Sequence, residues 1–470
     1  MEQTIAAVAT APGEGGIGIV RVSGPESYEI LKKIFRRPAG ERMKTMENRR
    51  LIYGNIVDSS GSVIDEAMVV YMKAPHTYTG EDVAEIQCHG SSISLRRILA
   101  EILRSGAVLA ERGEFTKRAF LSGRIDLSQA EAVIDVIKAK SEAGFQSAVS
   151  QMGGSLSAQI QSVRTQLADL ISNIIAHIEY PEEDLEELTY EKILEETAAI
   201  SRRIEKLIAS ADMGRIVRDG LKLCIAGRPN VGKSSLMNAL LKSDRAIVTD
   251  IPGTTRDTIE EFASIAGIPV RLIDTAGIRE TEDTIEKIGI EKSRESLTAA
   301  DIVVFVLDGS AELSEEDREI MAHLSGKKVI FVINKSDLGI RVTSESIESI
   351  LLEQIPSVNK DDGKGYRFLH LSALTGEGIE MLSEEIRRMV YNGEVTAESE
   401  ILVTNVRHKD LLERSLRSLF DASEMLRAGE ALDFAETDIR SAWSLLGEII
   451  GETVSQDILT EVFSRFCLGK

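Results

Sequence analysis

Residues 221–234 constrain this chain more than any other stretch. Leu221-Lys222-Leu223-Cys224-Ile225-Ala226 reads as a short apolar strand, and Gly227-Arg228-Pro229-Asn230-Val231-Gly232-Lys233-Ser234 follows at once. A strand, a glycine-bracketed loop and a helix start in that order admit few folds. The glycines let backbone N–H groups wrap phosphate oxygens, and the helix behind them adds the positive end of its dipole. Lys233 is placed for the β and γ phosphates, and the Ser234 hydroxyl for Mg²⁺. A glycine turn that merely caps a helix would not need Gly-Lys-Ser behind a strand.

Three more strand ends complete the pattern. Asp274-Thr275-Ala276-Gly277 offers a carboxylate to the magnesium shell and, at Gly277, an N–H that can sense a γ-phosphate. Asn334-Lys335-Ser336-Asp337 supplies a carboxylate, Asp337, that accepts hydrogen bonds from guanine N1–H and its 2-amino group. Adenine lacks that donor pair and would leave the carboxylate unsatisfied, so discrimination is steep. Ser372-Ala373-Leu374 suits a backbone contact to guanine O6. Each tetrapeptide alone is weak; together, in order, they spell a guanine site resembling the translation-factor-like P-loop GTPases.

The residue after Gly277 is Ile278, where many GTPases carry a water-orienting glutamine, and no arginine finger is visible. Catalytic help must come from elsewhere, or hydrolysis is slow. Two readings of Asn230 stay open: its amide faces a monovalent cation beside the phosphates, or it satisfies backbone groups of the loop. The segment Thr249-Asp250-Ile251-Pro252-Gly253-Thr254-Thr255-Arg256-Asp257 is turn-rich and polar, fit to donate carbonyls and hydroxyls to such an ion.

Around this region the texture changes. Runs at 270–273, 302–307, 329–333 and 368–371 suit a parallel sheet buried on both faces. Residues 17–22 and 67–72 read as strands and 93–103 as a helix, giving a small α+β domain. Leu156, Ile160, Val163, Leu167, Leu170, Ile174 and Ile178 share one helical face. Pro181 breaks that run before Glu182-Glu183-Asp184 and Glu186-Glu187, read as a solvated helix start. Further helices cover 190–211, the stretch through Leu412, Leu416 and Leu419, and that through Ile439, Trp443, Leu446 and Ile450. The expected division is 1–120 (α+β), 121–218 (helical), 219–391 (inserted α/β G domain) and 392–470 (helical, second part).

The chain of 470 residues is too long for one core, and its formal net charge of -21 argues against a broad basic groove for nucleic acid. Residues 1–120 are nearly neutral, with 16 Lys+Arg against 15 Asp+Glu, so the acid lies in the remainder. A nucleic-acid partner must then be met locally or through another protein. Arg407, His408, Lys409, Arg414 and Arg417 make a locally basic helical stretch with two readings, a nucleic-acid contact or a solvated face, of which the solvated face is preferred. The three cysteines, Cys88, Cys224 and Cys467, lack metal-ligand spacing and read as reduced thiols. No leader pattern or membrane-length apolar run is visible, which points to a cytoplasmic protein with no membrane partner.

The ends of the chain resemble one family. Thr4-Ile5-Ala6-Ala7-Val8-Ala9-Thr10 with 12–24, Tyr78-Thr79-Gly80-Glu81-Asp82, the run 113–121 and the terminal Phe466-Cys467-Leu468-Gly469-Lys470 look like the MnmE (TrmE) tRNA-modification GTPases. The resemblance implies an N-terminal tetrahydrofolate-binding domain, a discontinuous helical domain and an inserted Ras-like P-loop domain. It implies GTP contacts at Asn230, Val231, Gly232, Lys233, Ser234 and Ser235, at Thr249, Asp250, Ile251, Pro252, Gly253, Thr254 and Thr255, and at the three later motifs. Potassium would be held by Asn230, the carbonyls of Thr249 and Ile251, and Thr254; magnesium by Ser234 and Thr255. The water-orienting role vacant at Ile278 aligns with Glu286. Positions matching folate contacts are Arg21, Glu85, Arg124 (where some relatives have lysine) and Lys470, for a 5-formyl- or methylene-tetrahydrofolate. Cys467 is a candidate nucleophile or acid; its other reading is a small packing residue. The implied partners are a second copy through the N-terminal domain, the FAD protein MnmG (GidA) in a heterotetramer or larger complex, and tRNA, modified at C5 of the wobble uridine. Two other readings compete: a GTP-dependent ribosome-assembly or RNA-binding switch, and a folate-binding protein that uses GTP only to assemble.

Overall fold

The computed structural model describes residues 3–38, 40–41, 45–179, 189–243, 261–273, 297–354, 366–391, 402–467 and 469. They fall into two compact units, one of residues 1–137, 150–201 and 414–470, the other of 138–149 and 202–413. The acidic run 182–187 lies outside the described residues.

In the first unit a seven-stranded sheet has the order β3-β4-β5-β6-β2-β1-β7. Its strands are β1 (Ile5–Val8), β2 (Gly15–Ser23), β3 (Phe35–Arg36), β4 (Ile52–Val57), β5 (Val63–Met72), β6 (Val83–Gly90) and β7 (Val108–Leu109). The predicted strands at 17–22 and 67–72 fall inside β2 and β5. Every pairing is antiparallel except β1 with β7. Helices α1 (Ser27–Ile34) and α2 (Ser92–Arg104) cover one face, sealing a core that includes Val20, Ile30, Phe35, Ile86 and Ile98. The Ser91 hydroxyl accepts from Ile93 N at the start of α2. Such a cap stabilises a helix by about 1 kcal/mol.

Helices α3 (Glu114–Leu121), α4 (Leu127–Lys138), α5 (Glu142–Met152) and α6 (Ser155–Glu179) follow. On α6 the expected stripe holds through Ile174: Leu156, Ile160, Val163, Leu167, Leu170 and Ile174 are all at most 1% exposed, while Ile178 at its end is half-buried. This face packs on a helix more than 270 residues later in the chain, which decides that the helices before and after the α/β region share one core. Arg164 fixes the contact from within. It is 2% exposed, its guanidinium lies 4.2 Å from the Trp443 ring centroid, its Nε donates to Trp443 O at 3.2 Å, and its Nη1 meets Glu452 at 2.5 Å. Gly447 leaves the room: a Cβ there would sit 3.2 Å from Arg164 Nη2.

Past α7 (Tyr190–Ala209) comes a separate helix, α8 (Ala211–Asp219), where one helix to residue 211 was expected. In the second unit the sheet order is β13-β12-β11-β8-β10-β9. The strands are β8 (Leu221–Ala226), β9 (Glu261–Ile265), β10 (Ile268–Ile273), β11 (Ile302–Asp308), β12 (Lys328–Asn334) and β13 (Arg367–His370). All neighbours are parallel except β9 with β10. Along β11 the pleat sends Ile302, Val304 and Val306 to one core and Val303, Phe305 and Leu307 to another, so both faces are dry, as the apolar runs implied. Helices α9 (Lys233–Ser243), α10 (Glu315–Met321), α11 (Ser344–Gln354) and α12 (Ile379–Tyr391) accompany the sheet. Strand β9 was not expected; its turn uses Ala266 at φ 48 and Gly267 at φ 79, and alanine gives no hairpin signal there.

The chain closes with α13 (Val406–Ala428), α14 (Leu432–Ile450), the partner of α6, and α15 (Gln456–Ser464). No helix among the described residues is long and apolar enough to cross a membrane. Replacing Arg164 with Met removes the ring stacking and the Trp443 carbonyl bond, while half-exposed Glu452 rehydrates. We expect a loss of about 1–3 kcal/mol, read as a lower urea midpoint by fluorescence of the single tryptophan, Trp443.

Candidate functional site

The phosphate loop sits where β8 hands over to α9. Gly227 has φ 146, and a Cβ there would lie 2.3 Å from the Val306 carbonyl oxygen, so the loop starts in backbone contact with β11. Asn230 adopts the left-handed conformation at φ 64, which asparagine tolerates better than most residues, and is exposed. Ser234 and Ser235 are exposed in the first turn of α9. Lys233 Nζ donates to the carbonyls of Gly227 and Arg228, both at 2.8 Å, spanning the loop from inside. Burial lowers the Lys233 ammonium below the usual lysine range.

The guanine motifs are held by one side chain. Asn334, 2% exposed at the end of β12, donates from Nδ2 to Val231 O at 2.8 Å and accepts at Oδ1 from Ala373 N at 2.9 Å. It joins the phosphate loop to the 372–374 loop. Only glycine fits opposite, since a Cβ at Gly232 would sit 2.3 Å from Asn334 Nδ2. Lys335 is left-handed at φ 63 and pairs with Asp308 at 2.6 Å; that ammonium and the Ser310 hydroxyl and N–H hold the Asp308 carboxyl below its usual range against burial. Asp337 lies exposed in a short 3₁₀ turn, Ser372 is buried, and Leu374 is 86% exposed. Thus Asn230, Val231, Gly232, Lys233, Ser234, Ser235, Asn334, Lys335, Ser336, Asp337, Ser372, Ala373 and Leu374 come together at the C-terminal ends of the parallel strands β8, β12 and β13, where such folds place ligands. Thr249 to Thr255, Asp274 to Gly277 and Glu286 lie outside the described residues.

A second cluster forms in the N-terminal sheet. Arg21 and Glu85 are register partners on β2 and β6, and Arg21 Nε meets Glu85 Oε1 at 2.8 Å with both side chains 17% exposed. They are not freely solvated surface charges. Arg124 reaches the same place: its Nη1 donates to Tyr78 O at 2.9 Å, and the Tyr78 ring lies 4.9 Å from the Arg124 guanidinium and 5.5 Å from that of Arg21. Tyr78 bonds Thr116 at 2.9 Å, and Arg118 bridges Glu81 and Glu114 behind it. Cys467 is exposed, against its packing reading, whereas Cys88 and Cys224 are buried and burial pushes the Cys224 thiol up to about 12. The tail carrying Cys467 reaches β1, because a Cβ at Gly469 would lie 2.1 Å from Val8 O. Lys470 lies outside the described residues. The basic stretch on α13 is not a uniform solvated face: His408 is 1% exposed and Lys409 pairs with Asp212.

The comparisons cover the whole chain. Residues 4–124 match the family described as the GTP-binding protein TrmE N-terminus, and residues 127–467 match the MnmE helical domain. The "tRNA modification GTPase MnmE" of Clostridioides difficile (strain 630) is 49% identical over 470 residues, 100% of each chain. That of Alkaliphilus metalliredigens (strain QYMF) is 47% identical over 471 residues, again 100% of each. This chain belongs to the MnmE family. Among solved structures, the G domain of the T. maritima FeoB iron transporter matches at 27% identity, covering 36% of this chain and 97% of that one, with a TM-score of 0.24. By its family matches and its own topology, this MnmE-family chain combines an N-terminal TrmE domain, a helical domain assembled from distant segments and a P-loop α/β domain.

Sequence reading missed Asn334 as the clamp, Asp308 as the anchor of Lys335, and Tyr78 between two guanidiniums. No local signal marks them, because each acts on residues 27 to 103 positions away. In this MnmE-family chain Asn334→Ala strips a buried carbonyl and a half-buried N–H of their partner. We expect about 100-fold weaker binding of a fluorescent GDP, from roughly 2–4 kcal/mol of lost pairing.

Proposed function

We propose that this protein is a potassium-activated GTPase which, with a flavin-containing partner, modifies C5 of the wobble uridine of certain tRNAs using a one-carbon tetrahydrofolate. A GTP hydrolase acting in tRNA modification is what membership of the family means. The observation that carries the finer reading is the pairing, on one chain, of a guanine-type site with the half-buried Arg21–Glu85 cluster, each built by residues distant in sequence. Neither a plain nucleotide switch nor a ribosome-assembly factor calls for that second cluster.

In the G domain Lys233 and the loop N–H groups meet phosphate charge, and Asp337 selects guanine through its two donors. Ser234 and Thr255 would hold magnesium. The exposed, left-handed Asn230 fits a cation ligand, and with Thr249, Ile251 and Thr254 it would hold potassium. Bound there, the two ions would supply positive charge against the phosphates, where the sequence shows no arginine finger. Glu286 orients the attacking water. Hydrolysis at a lower rate in sodium than in potassium, and loss of turnover with retained GTP binding in Glu286→Ala, are the expected outcomes in a phosphate-release assay. Equal rates in both salts would sink the catalytic assignment.

In the N-terminal domain Glu85 keeps one oxygen on Arg21, which aims the carboxylate for the 2-amino and N3–H edge of a pterin. Arg21, Arg124 and Lys470 are cations for the carboxylates of a glutamyl tail. Bound tetrahydrofolate would supply the carbon, and Cys467, exposed on a tail that reaches β1, stands ready as nucleophile or acid. The proposed division of labour follows 1–120, 121–218, 219–391 and 392–470, with a second copy joined through the first segment and the MnmG-type FAD protein carrying much of the tRNA grip. A cytoplasmic location accords with a tRNA substrate. Glu85→Gln should leave GTP turnover within about twofold and weaken 5-formyl-tetrahydrofolate binding at least tenfold by titration. In a deletion strain, mass spectrometry of tRNA nucleosides should show the wobble uridine unmodified and restored by the wild-type gene.

A further inference from the structure

We infer that Arg228, the second residue of the phosphate loop, is a positioning residue whose guanidinium is committed to the buried carboxylate of Asp317, so that it fixes the loop backbone instead of meeting phosphate charge. The inference deepens the GTPase reading and rests on it. An arginine one residue past Gly227 invites the opposite view, that it serves as a finger in cis.

The surroundings of Asp317 decide between them. Asp317 is 1% exposed in the first turn of α10. Its Oδ2 accepts from Ser314 N at 3.0 Å and Ser314 Oγ at 2.8 Å, a reciprocal cap made of neutral donors that leaves the charge standing. Among the described residues the cation that answers it is Arg228, with Nε 3.4 Å from Oδ2. Arg228 Nε and Asp317 Oδ1 are both hidden from water with no hydrogen-bond partner among the described residues. The pair is therefore held by charge, with Asp317 dry and the Arg228 side chain 24% exposed, and the hidden Nε and Oδ1 atoms have no water to turn to.

Loop geometry transmits that commitment. The Arg228 carbonyl accepts from Lys233 Nζ at 2.8 Å, so wherever the Arg228 backbone goes, a support of Lys233 goes with it. On the other side Gly227 is pressed on Val306 O and cannot give way. Pulling the Arg228 side chain towards α10 sets the position of the carbonyl on which the phosphate-binding lysine rests. A negative charge that needs Arg228 stands on an element, α10, that carries none of the guanine motifs.

Steady-state GTP hydrolysis in potassium and the dissociation rate of a fluorescent GDP test this on the full chain. Variants are Arg228→Met, Arg228→Lys, and the double Arg228→Met with Asp317→Leu, which removes both buried charges should the single Met variant fold poorly. The expected result for Arg228→Met and for the double variant is a KM for GTP and a GDP dissociation rate raised about tenfold, with turnover within about threefold of the wild type. Arg228→Lys, whose ammonium can still answer Asp317, should return both towards wild-type values. Turnover lowered by about two orders of magnitude or more at unchanged KM would make Arg228 a catalytic arginine and overturn the inference. An unchanged KM and dissociation rate would overturn it as well. A wild-type protein that binds no GTP would instead remove the GTPase reading, and this assignment with it.

Discussion

The nucleotide site depends on one amide. Asn334, itself 2% exposed, spends its donor on the phosphate loop in a buried bond and its acceptor on the 372–374 loop in a half-buried one. A lost bond there is not replaced by solvent, so the two loops keep a fixed separation. Neighbouring ties build outward from it. The Asn334 carbonyl accepts from Gly309 N at 2.8 Å, and Asp308 beside it holds Lys335 in its left-handed turn. Each loop is soft alone, and the cross-ties make them one rigid rim on the sheet.

Insertion of this α/β domain into a helical one asks that the chain enter and leave at nearly one point. The second unit meets that requirement at α8. Ser210 Oγ accepts from Val403 N at 3.1 Å, Arg218 donates to Thr404 O at 3.3 Å, and a Cβ at Gly214 would lie 2.2 Å from Val403 O. Entry at about 210 and exit at about 403 are thus stitched side by side. The helical domain is closed separately, by the α6 stripe against α14 with Arg164 stacked on Trp443.

In the N-terminal domain the sheet register performs the comparable task. Antiparallel pairing of β2 with β6 sets Arg21 opposite Glu85, and the loop bearing Tyr78 brings a third charged group, Arg124, to the same aromatic ring. Two guanidiniums near one ring repel each other, and the Glu85 carboxylate together with the ring quadrupole offsets that repulsion. The result is a half-buried Arg21–Glu85 pair with an exposed Arg124 at its edge, an arrangement that a flat, solvated surface would not maintain.

Much was legible in the chain itself, because periodicity and short motifs are local. The Gly-Lys-Ser loop behind a strand, the two-faced apolar runs of β8 and β11 to β12, and the α6 stripe all declare themselves within a dozen or two residues. The guanine motifs at Asn334 to Asp337 and Ser372 to Leu374 were readable in order for the same reason. Strand β9 was not, since its turn carries Ala266 where asparagine or glycine would have signalled, and α7 and α8 ran together because both are amphipathic. What only the tertiary structure decided is which distant groups meet: Asn334 with Val231, Arg228 with Asp317, Arg21 and Arg124 about Tyr78, α6 with α14. Those contacts are set by the order of strands in a sheet and the closing of a core, and neither is a property of any window of sequence.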